Sequence, residues 1–306
     1  MPELSSSLPP LNIGNVVNAA LILYRSHLKP YLRLGLTTIL WCFWPVLALV
    51  PFGMAIYAAV NGQSVPPFIW VLVPLWIAFF VYCIAQYLLN SAVLTRVAFR
   101  ELVNQPEAIA DVRKQLRPKL WKFFGLAALV GVLIGAVYGA LAMAGGIAMF
   151  AIIAALSLIA GPVIGPLVGG LFFVVLVFGG LSWFYARLIS AEVVLAVEEN
   201  ADIGQSLGRS WTLSETSAIR VQGVILVAFL VTLPLLLVTN YLPSLFLLRL
   251  EPNSPEYWLV YGVSMIASFA VWIIQLPFWQ AVKAVLYYDL RNRREGFGLQ
   301  LRDRET

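Results

Sequence analysis

The chain is poor in the residues from which soluble enzymes build their sites. Its 306 residues include 1 His, 2 Cys and 11% charged side chains. Soluble domains carry about 25% charged residues, so the deficit excludes an ordinary water-soluble fold. With His27 as the one histidine, a His-rich metal site is excluded and a Ser-His-Asp apparatus is hard to assemble. P-loop, CxxC, HExxH and nucleophile-elbow motifs are absent, and neither a metal nor a cofactor is expected. Cys42 and Cys83 fall in apolar runs, where a thiol acts as a small buried hydrophobe, so no disulfide framework is implied. The opening MPELSSSLPPLNIG lacks the basic region, apolar stretch and small-residue cleavage site of a signal peptide.

Apolar residues are what the chain has: 61% of it is hydrophobic. Charge-free runs cover 34–95, 123–186, 221–248 and 257–282. A helix needs roughly 20 apolar residues to cross a bilayer core of about 30 Å, so the last two runs fit one crossing each. The first fits two, split by the turn-forming NGQSVPP at 61–67. The second also holds two, with AMFAIIAALSLIAGP left over between them. Spans are expected near 34–60, 67–95, 122–145, 163–187, 219–241 and 257–283. Residues 146–162 either lengthen a helix or dip into the membrane. The fold class is therefore an all-α integral membrane protein with six transmembrane helices in a single membrane domain, 1–306.

Lys and Arg accumulate in cytoplasmic loops. Of the 20 here, all but Arg249 fall on one side: the N-terminal segment (Arg25, Lys29, Arg33), the 96–122 and 187–220 loops, and the tail. Both termini are expected in the cytoplasm of a bacterial cell, with the spans in its cytoplasmic membrane.

The chain aligns with itself as three hairpin repeats, about 12–100, 108–200 and 202–294, each an amphipathic segment and two spans. Ile13, Val17, Leu21; Val112, Leu116, Leu120; and Ile203, Leu207, Trp211 each recur at i, i+4, i+8, on one helical face. Such helices lie along the inner membrane surface with Arg113, Lys114 and Arg209 toward headgroups. They either cover the inner ends of the bundle or form a lipid or partner surface. NSAVL at 90–94, AEVVL at 191–195 and VKAVL at 282–286 superpose, which makes Ser91, Glu192 and Lys283 equivalent and predicts a Glu192–Lys283 pair. Ionisable groups inside membranes are costly, so Arg187, Glu192, Lys283, Gln275 and Gln280 form a candidate polar cluster, either a structural arrangement of snorkelling and paired groups or a substrate relay. Gln275, beside Pro277, fits a transport site or an interhelical hydrogen bond.

Two glycine stripes, Gly131, Gly135, Gly139 and Gly161, Gly165, Gly169, repeat the GxxxG spacing that lets helices approach closely. They are expected to pack on each other; a glycine-lined pore or a homo-oligomer interface is the alternative. Pro162 and Pro166 fit the start of a helix, while Pro74 and Pro277 are expected to kink theirs.

The chain closes on LYYDLRNRREGFGLQ, within a tail taken as 287–306. Arg291, Arg293 and Arg294 alternate there with Asp289 and Glu295. This is the pattern of a cytoplasmic anchor, each Arg contributing about 1 kcal/mol near an anionic lipid surface. Replacing the three is expected to weaken lipid binding and leave folding intact. Tyr288, Asp289, Leu290, Arg291, Arg294, Glu295, Gly296 and Phe297 together resemble the closing signature of the bacterial glycerophosphoryl diester phosphodiesterase membrane-domain family. SLGRSWTL at 206–213 looks like that family's segment ahead of a later span, and Gly298 stands where an acidic residue is the pattern. The resemblance implies the six-span region alone. The family's catalytic barrel, with paired histidines and metal carboxylates, has no counterpart here, and its activity is not carried over. The expected function is a non-enzymatic membrane scaffold or accessory protein that meets anionic lipids, a membrane-protein partner or a second copy through its cytoplasmic face. A small-solute or lipid transporter is the alternative and a membrane enzyme the third reading; no nucleic-acid partner is expected.

Overall fold

In the computed structural model, which describes residues 12–61 and 68–296, every regular element among the described residues is a helix. Helix α1 (Ile13–Ser26) buries Val16, Val17, Ala20, Leu23 and Tyr24 along one face. After His27 comes α2 (Leu28–Leu47), then a break at Ala48 and Leu49 before α3 (Val50–Val60). Pro51 causes it, since its ring opposes the Leu47 carbonyl and it has no N–H to offer. The Leu49 N–H turns back to the Val46 carbonyl at 3.1 Å, and the indole N–H of Trp76 donates to the Pro45 carbonyl at 3.0 Å. In lipid a carbonyl without a donor costs several kcal/mol, so the break is tolerated where a tryptophan covers it.

Helix α4 (Phe68–Leu102) brings the chain back; α5 (Ile109–Leu116) and a 3-10 turn at Arg117–Lys119 lead into α6 (Leu120–Ala160). Then follow α7 (Ile164–Leu188), α8 (Ala191–Val197), α9 (Ile203–Ser214) and α10 (Ala218–Leu236). A π-helical turn at Leu237–Tyr241 joins α10 to α11 (Leu242–Leu247), and α12 (Pro255–Glu295) ends the described chain. Among the described residues, 6 helical runs are long and apolar enough to cross a membrane. Residues 146–160 belong to the unbroken α6, 41 residues long. Gly161, at φ +92°, makes the turn to α7 in a conformation that a side chain would resist.

Helix α12 runs through the end expected for its span and on to Glu295, so residues 287–295 are helix, with Tyr287, Tyr288, Asp289 and Leu290 buried. The rest of the expected tail, with Phe297, Gly298, Arg302 and Arg304, lies outside the described residues, as does most of the 61–67 turn. Pro277 sits inside α12. It leaves the Ile273 carbonyl without its helical donor. Helix α2 closes on that point through Gly35, where an added Cβ would stand 2.6 Å from the Ile273 oxygen and 3.0 Å from Pro277 Cγ.

The most extensive helix pair is α6 with α7; α4 packs on α2 and α12, and α1 on α12 and α10. The two glycine stripes do not meet as expected. Space around Gly131, Gly135 and Gly139 is open, whereas Gly165 and Gly169 face Ile153, Ser157 and Met149 of α6. With both faces of α6 apolar, side-chain shape decides which one meets α7, and Gly145 and Gly180 seat Phe173, Leu176 and Leu141 instead. Cys83 is buried, but Cys42 lies exposed on α2.

The core sits at the charged end of the bundle, where residues 89–99 of α4, 191–197 of α8 and 276–290 of α12 are nearly all buried. Toward the other end, large apolar side chains such as Val60, Leu158 and Leu248 stand out from the helices. A surface of this kind is dissolved by lipid tails and needs no protein partner to cover it.

Candidate functional site

Polar side chains gather at the same end as the core. Arg96 of α4, 4% exposed, donates to Glu107 (3.0 and 3.3 Å), to Gln115 (2.6 Å) and to the Ala196 carbonyl (3.3 Å). Glu107 also takes Arg100 at 2.8 Å. One guanidinium thus ties α4 to α5 and α8, satisfying the last turn of α8. Lys119 does the same from the other side, donating to the carbonyls of Leu195 (3.2 Å) and Glu198 (3.0 Å). On α2, Tyr31 donates to Glu101 at 2.5 Å, and His27 lies 3.2 Å from the same carboxylate.

A second network runs along the last turns of α12. Glu198 accepts from Tyr287 (2.8 Å) and Arg209 (3.3 Å); Arg209 also pairs with Glu295, which takes Arg291 at 3.1 Å. Burial works against the Arg209 charge, and Glu295 and Glu198 outweigh it, so its pKa is raised. Asp289, 2% exposed, receives Arg220 at 2.5 Å and Arg293 at 3.2 Å, and Arg294 reaches Glu215 at 2.8 Å. The three tail arginines that resembled a free anchor are therefore engaged by carboxylates of the protein itself. Sequence spacing shows the Asp289–Arg293 and Arg291–Glu295 pairs at i, i+4. It carries no sign of Arg220 of α10, or of Glu215 and Glu198, which directly follow α9 and α8.

The expected intramembrane cluster divides into separate places. Lys283 Nζ lies 2.6 Å from Glu192 Oε2, while Glu192 Oε1 is buried with no partner among the described residues. The pair closes the polar end of an apolar cavity of about 240 Å³ between α4, α6 and α7, lined by Leu88, Leu126, Val130 and Gly131. Gln280 donates to Ser91 (2.5 Å) and accepts from Thr95 (2.7 Å), in the packed contact of α12 with α4. Gln275 donates to the Thr232 carbonyl of α10 at 3.3 Å. Both glutamines are interhelical hydrogen bonders, and neither lines that cavity.

Arg187 leaves this group entirely, lying 4.8 Å above the ring of Trp183 and 5.0 Å from that of Trp211. Its carbonyl accepts from Ser210 at 2.7 Å. Helix α9 turns a face of Ser206, Ser210 and Ser214 into the protein, and Trp211, expected with Ile203 and Leu207 on the apolar face along the membrane surface, is exposed. Hydroxyls with backbone acceptors one turn away can be buried at little cost, which the apolar pattern does not register.

Of the basic residues on the inner helices, Arg113 donates to Asn90 at 2.9 Å. Arg25, Lys29, Arg33, Lys114, Arg117 and Lys122 are exposed and stand in no ion pair among the described residues. Among the described residues no group of three or more His, Cys, Asp and Glu is placed to hold a metal ion. No family model, no curated protein and no solved structure matches the chain.

Proposed function

We propose that the chain is a non-enzymatic multi-pass scaffold or accessory protein of a bacterial cytoplasmic membrane, meeting anionic lipids through its inner face. In this reading its termini are cytoplasmic, the six spans form three hairpin repeats, and α1, α5 and α9 lie along the inner surface. The resemblance of the closing segment to the glycerophosphoryl diester phosphodiesterase membrane-domain family enters on the quoted residues alone. The observation that carries the proposal is the contrast between two sets of cations. Those of the closing segment are bound to carboxylates, whereas Lys114, Arg117 and Lys122 are exposed and pair with no acid among the described residues. Charges in that position add about 1 kcal/mol each to contact with an anionic leaflet and are screened by salt.

The test is the stability of the purified full chain in mixed micelles as phosphatidylglycerol replaces phosphatidylcholine. Wild type should be stabilised at low salt, and Lys114→Gln/Arg117→Gln/Lys122→Gln should lose about 3 kcal/mol of that interaction with its helix content unchanged. Equal stability of wild type in the two lipids at low salt overturns the reading. The cavity beside Glu192 supports a second one, lipid or small-solute transport, because it places a buried carboxylate oxygen without a partner at the end of an apolar recess. Lipid movement across proteoliposomes, lost in Glu192→Gln and kept in the lysine and arginine variant, would replace scaffolding with transport.

A further inference from the structure

A second recess, of about 780 Å³, opens between the start of α1, the end of α7, the turn at 215–217 and the last turns of α12. Three arginines line it: Arg187, Arg220 and Arg293. The carboxylate on its wall, Glu215, is 61% exposed and already takes Arg294. Arg220 and Arg293 share Asp289. Arg187 has no carboxylate among the described residues, and its Nε and Nη1 are both buried without an acceptor. The indole faces of Trp183 and Trp211 stabilise its charge from the sides but leave its N–H edges unmet. A guanidinium whose charge no carboxylate answers favours an anion, which meets it from the recess as a positive charge rather than through a bidentate fork, since Nε and Nη1 are closed to solvent.

The backbone contributes in the same sense. The first residues of α10, Ala218 and Ile219, line the recess, and so do Asn12 and Ile13 at the start of α1. Neither helix has an acidic residue in its first turn or a side-chain cap on its free N–H groups. Two helix N-termini with no side-chain cap among the described residues therefore add partial positive charge to that of the arginines. Ile219, 80% exposed, and Trp183, 39% exposed, supply apolar surface at the rim, beside the exposed polar residues Asn12, Glu215 and Thr216. We propose that this recess binds a phosphate-bearing anion through Arg187 and the start of α10, with apolar matter attached to the phosphate lying against Ile219 and Trp183. The proposal rests on the anionic-lipid reading above and adds to it one defined site. A lipid headgroup and a soluble phosphate share this chemistry, and the experiment separates them.

The experiment titrates the purified full chain in neutral detergent with dioctanoyl phosphatidylglycerol, dioctanoyl phosphatidylcholine and inorganic phosphate, following thermal stability. A saturable shift with phosphatidylglycerol, weakened at least about tenfold by Arg187→Gln and by Ile219→Glu, is the expected result, since each change removes or opposes charge-assisted hydrogen bonds. Ile219→Glu alters an exposed side chain, so it answers the question even if Arg187→Gln fails to fold. The Lys114→Gln/Arg117→Gln/Lys122→Gln variant should retain this saturable component. Inorganic phosphate binding as tightly as the lipid, and lost in the same two variants, upholds the anion site and assigns it to soluble phosphates. If Ile219→Glu and a folded Arg187→Gln bind phosphatidylglycerol like wild type while the triple variant does not, the recess proposal falls and the broader reading stands. If phosphatidylglycerol acts no differently from phosphatidylcholine on any variant, both fall.

Discussion

Removing Lys283 should cost far more than removing Lys283 and Glu192 together. At 2.6 Å, with an effective dielectric constant of about 20, their attraction is on the order of 6 kcal/mol. Desolvating the two ions offsets most of it, so the pair itself contributes little net stability. Taking one partner away leaves the desolvation of the other unanswered. Stranding a buried charge costs about 3–5 kcal/mol, and the 15% and 21% exposure of the two side chains places this case at the lower end. Glu192 Oε1 has no donor among the described residues. Lys283→Met and Glu192→Gln should each lose about 3 kcal/mol, while Glu192→Gln/Lys283→Met should stay within about 1 kcal/mol of wild type. The assay is reversible unfolding of the purified chain on titration with SDS in mixed micelles. A double variant that costs the sum of the two single changes would refute the reasoning, because the two groups would then not be coupled.

Four further outcomes follow from the packing. Gly35→Ala should lose about 1–3 kcal/mol in the same assay, because the new methyl meets the Ile273 carbonyl, which cannot yield, whereas Gly135→Ala, with open space around it, should be neutral or stabilising. Asp289→Asn should cost about 3–5 kcal/mol, since it removes the charge of a buried carboxylate that Arg220 and Arg293 share. Arg291→Gln/Arg293→Gln/Arg294→Gln should lower stability more than lipid affinity, against the sequence expectation that folding is untouched; unchanged unfolding with lost lipid binding would restore the anchor reading. A reporter fused after Thr306 should report the cytoplasm, and a periplasmic signal would overturn the proposed orientation.

The number and approximate bounds of the long apolar helices were legible in the sequence because they follow from a one-dimensional property. A helix satisfies its own backbone, so roughly 20 uncharged residues suffice to specify a crossing, whatever its neighbours are. The Asp202 capping box with Gln205, closing both free ends at the start of α9, is local in the same way. The Glu192–Lys283 pair was also expected, from matching short segments along the chain, and the two side chains meet. Which face each span turns inward could not. Lipid and protein interior are alike apolar, so the pattern that marks the buried side of a soluble helix is missing from α6 and α7. That is why the stripe at Gly131, Gly135 and Gly139 stands open while Gly145, Gly165 and Gly180 make the contacts. The direction of a long side chain is equally non-local. Arg187 lies five residues from Glu192 in the chain, yet it lies against Trp211 of α9 as well as Trp183 of its own helix and lines the other recess, and Asp289 collects arginines from two helices. Hydrophobic length decides that a segment enters the membrane, but only the shapes and charges brought up by other helices decide what each of its faces will meet.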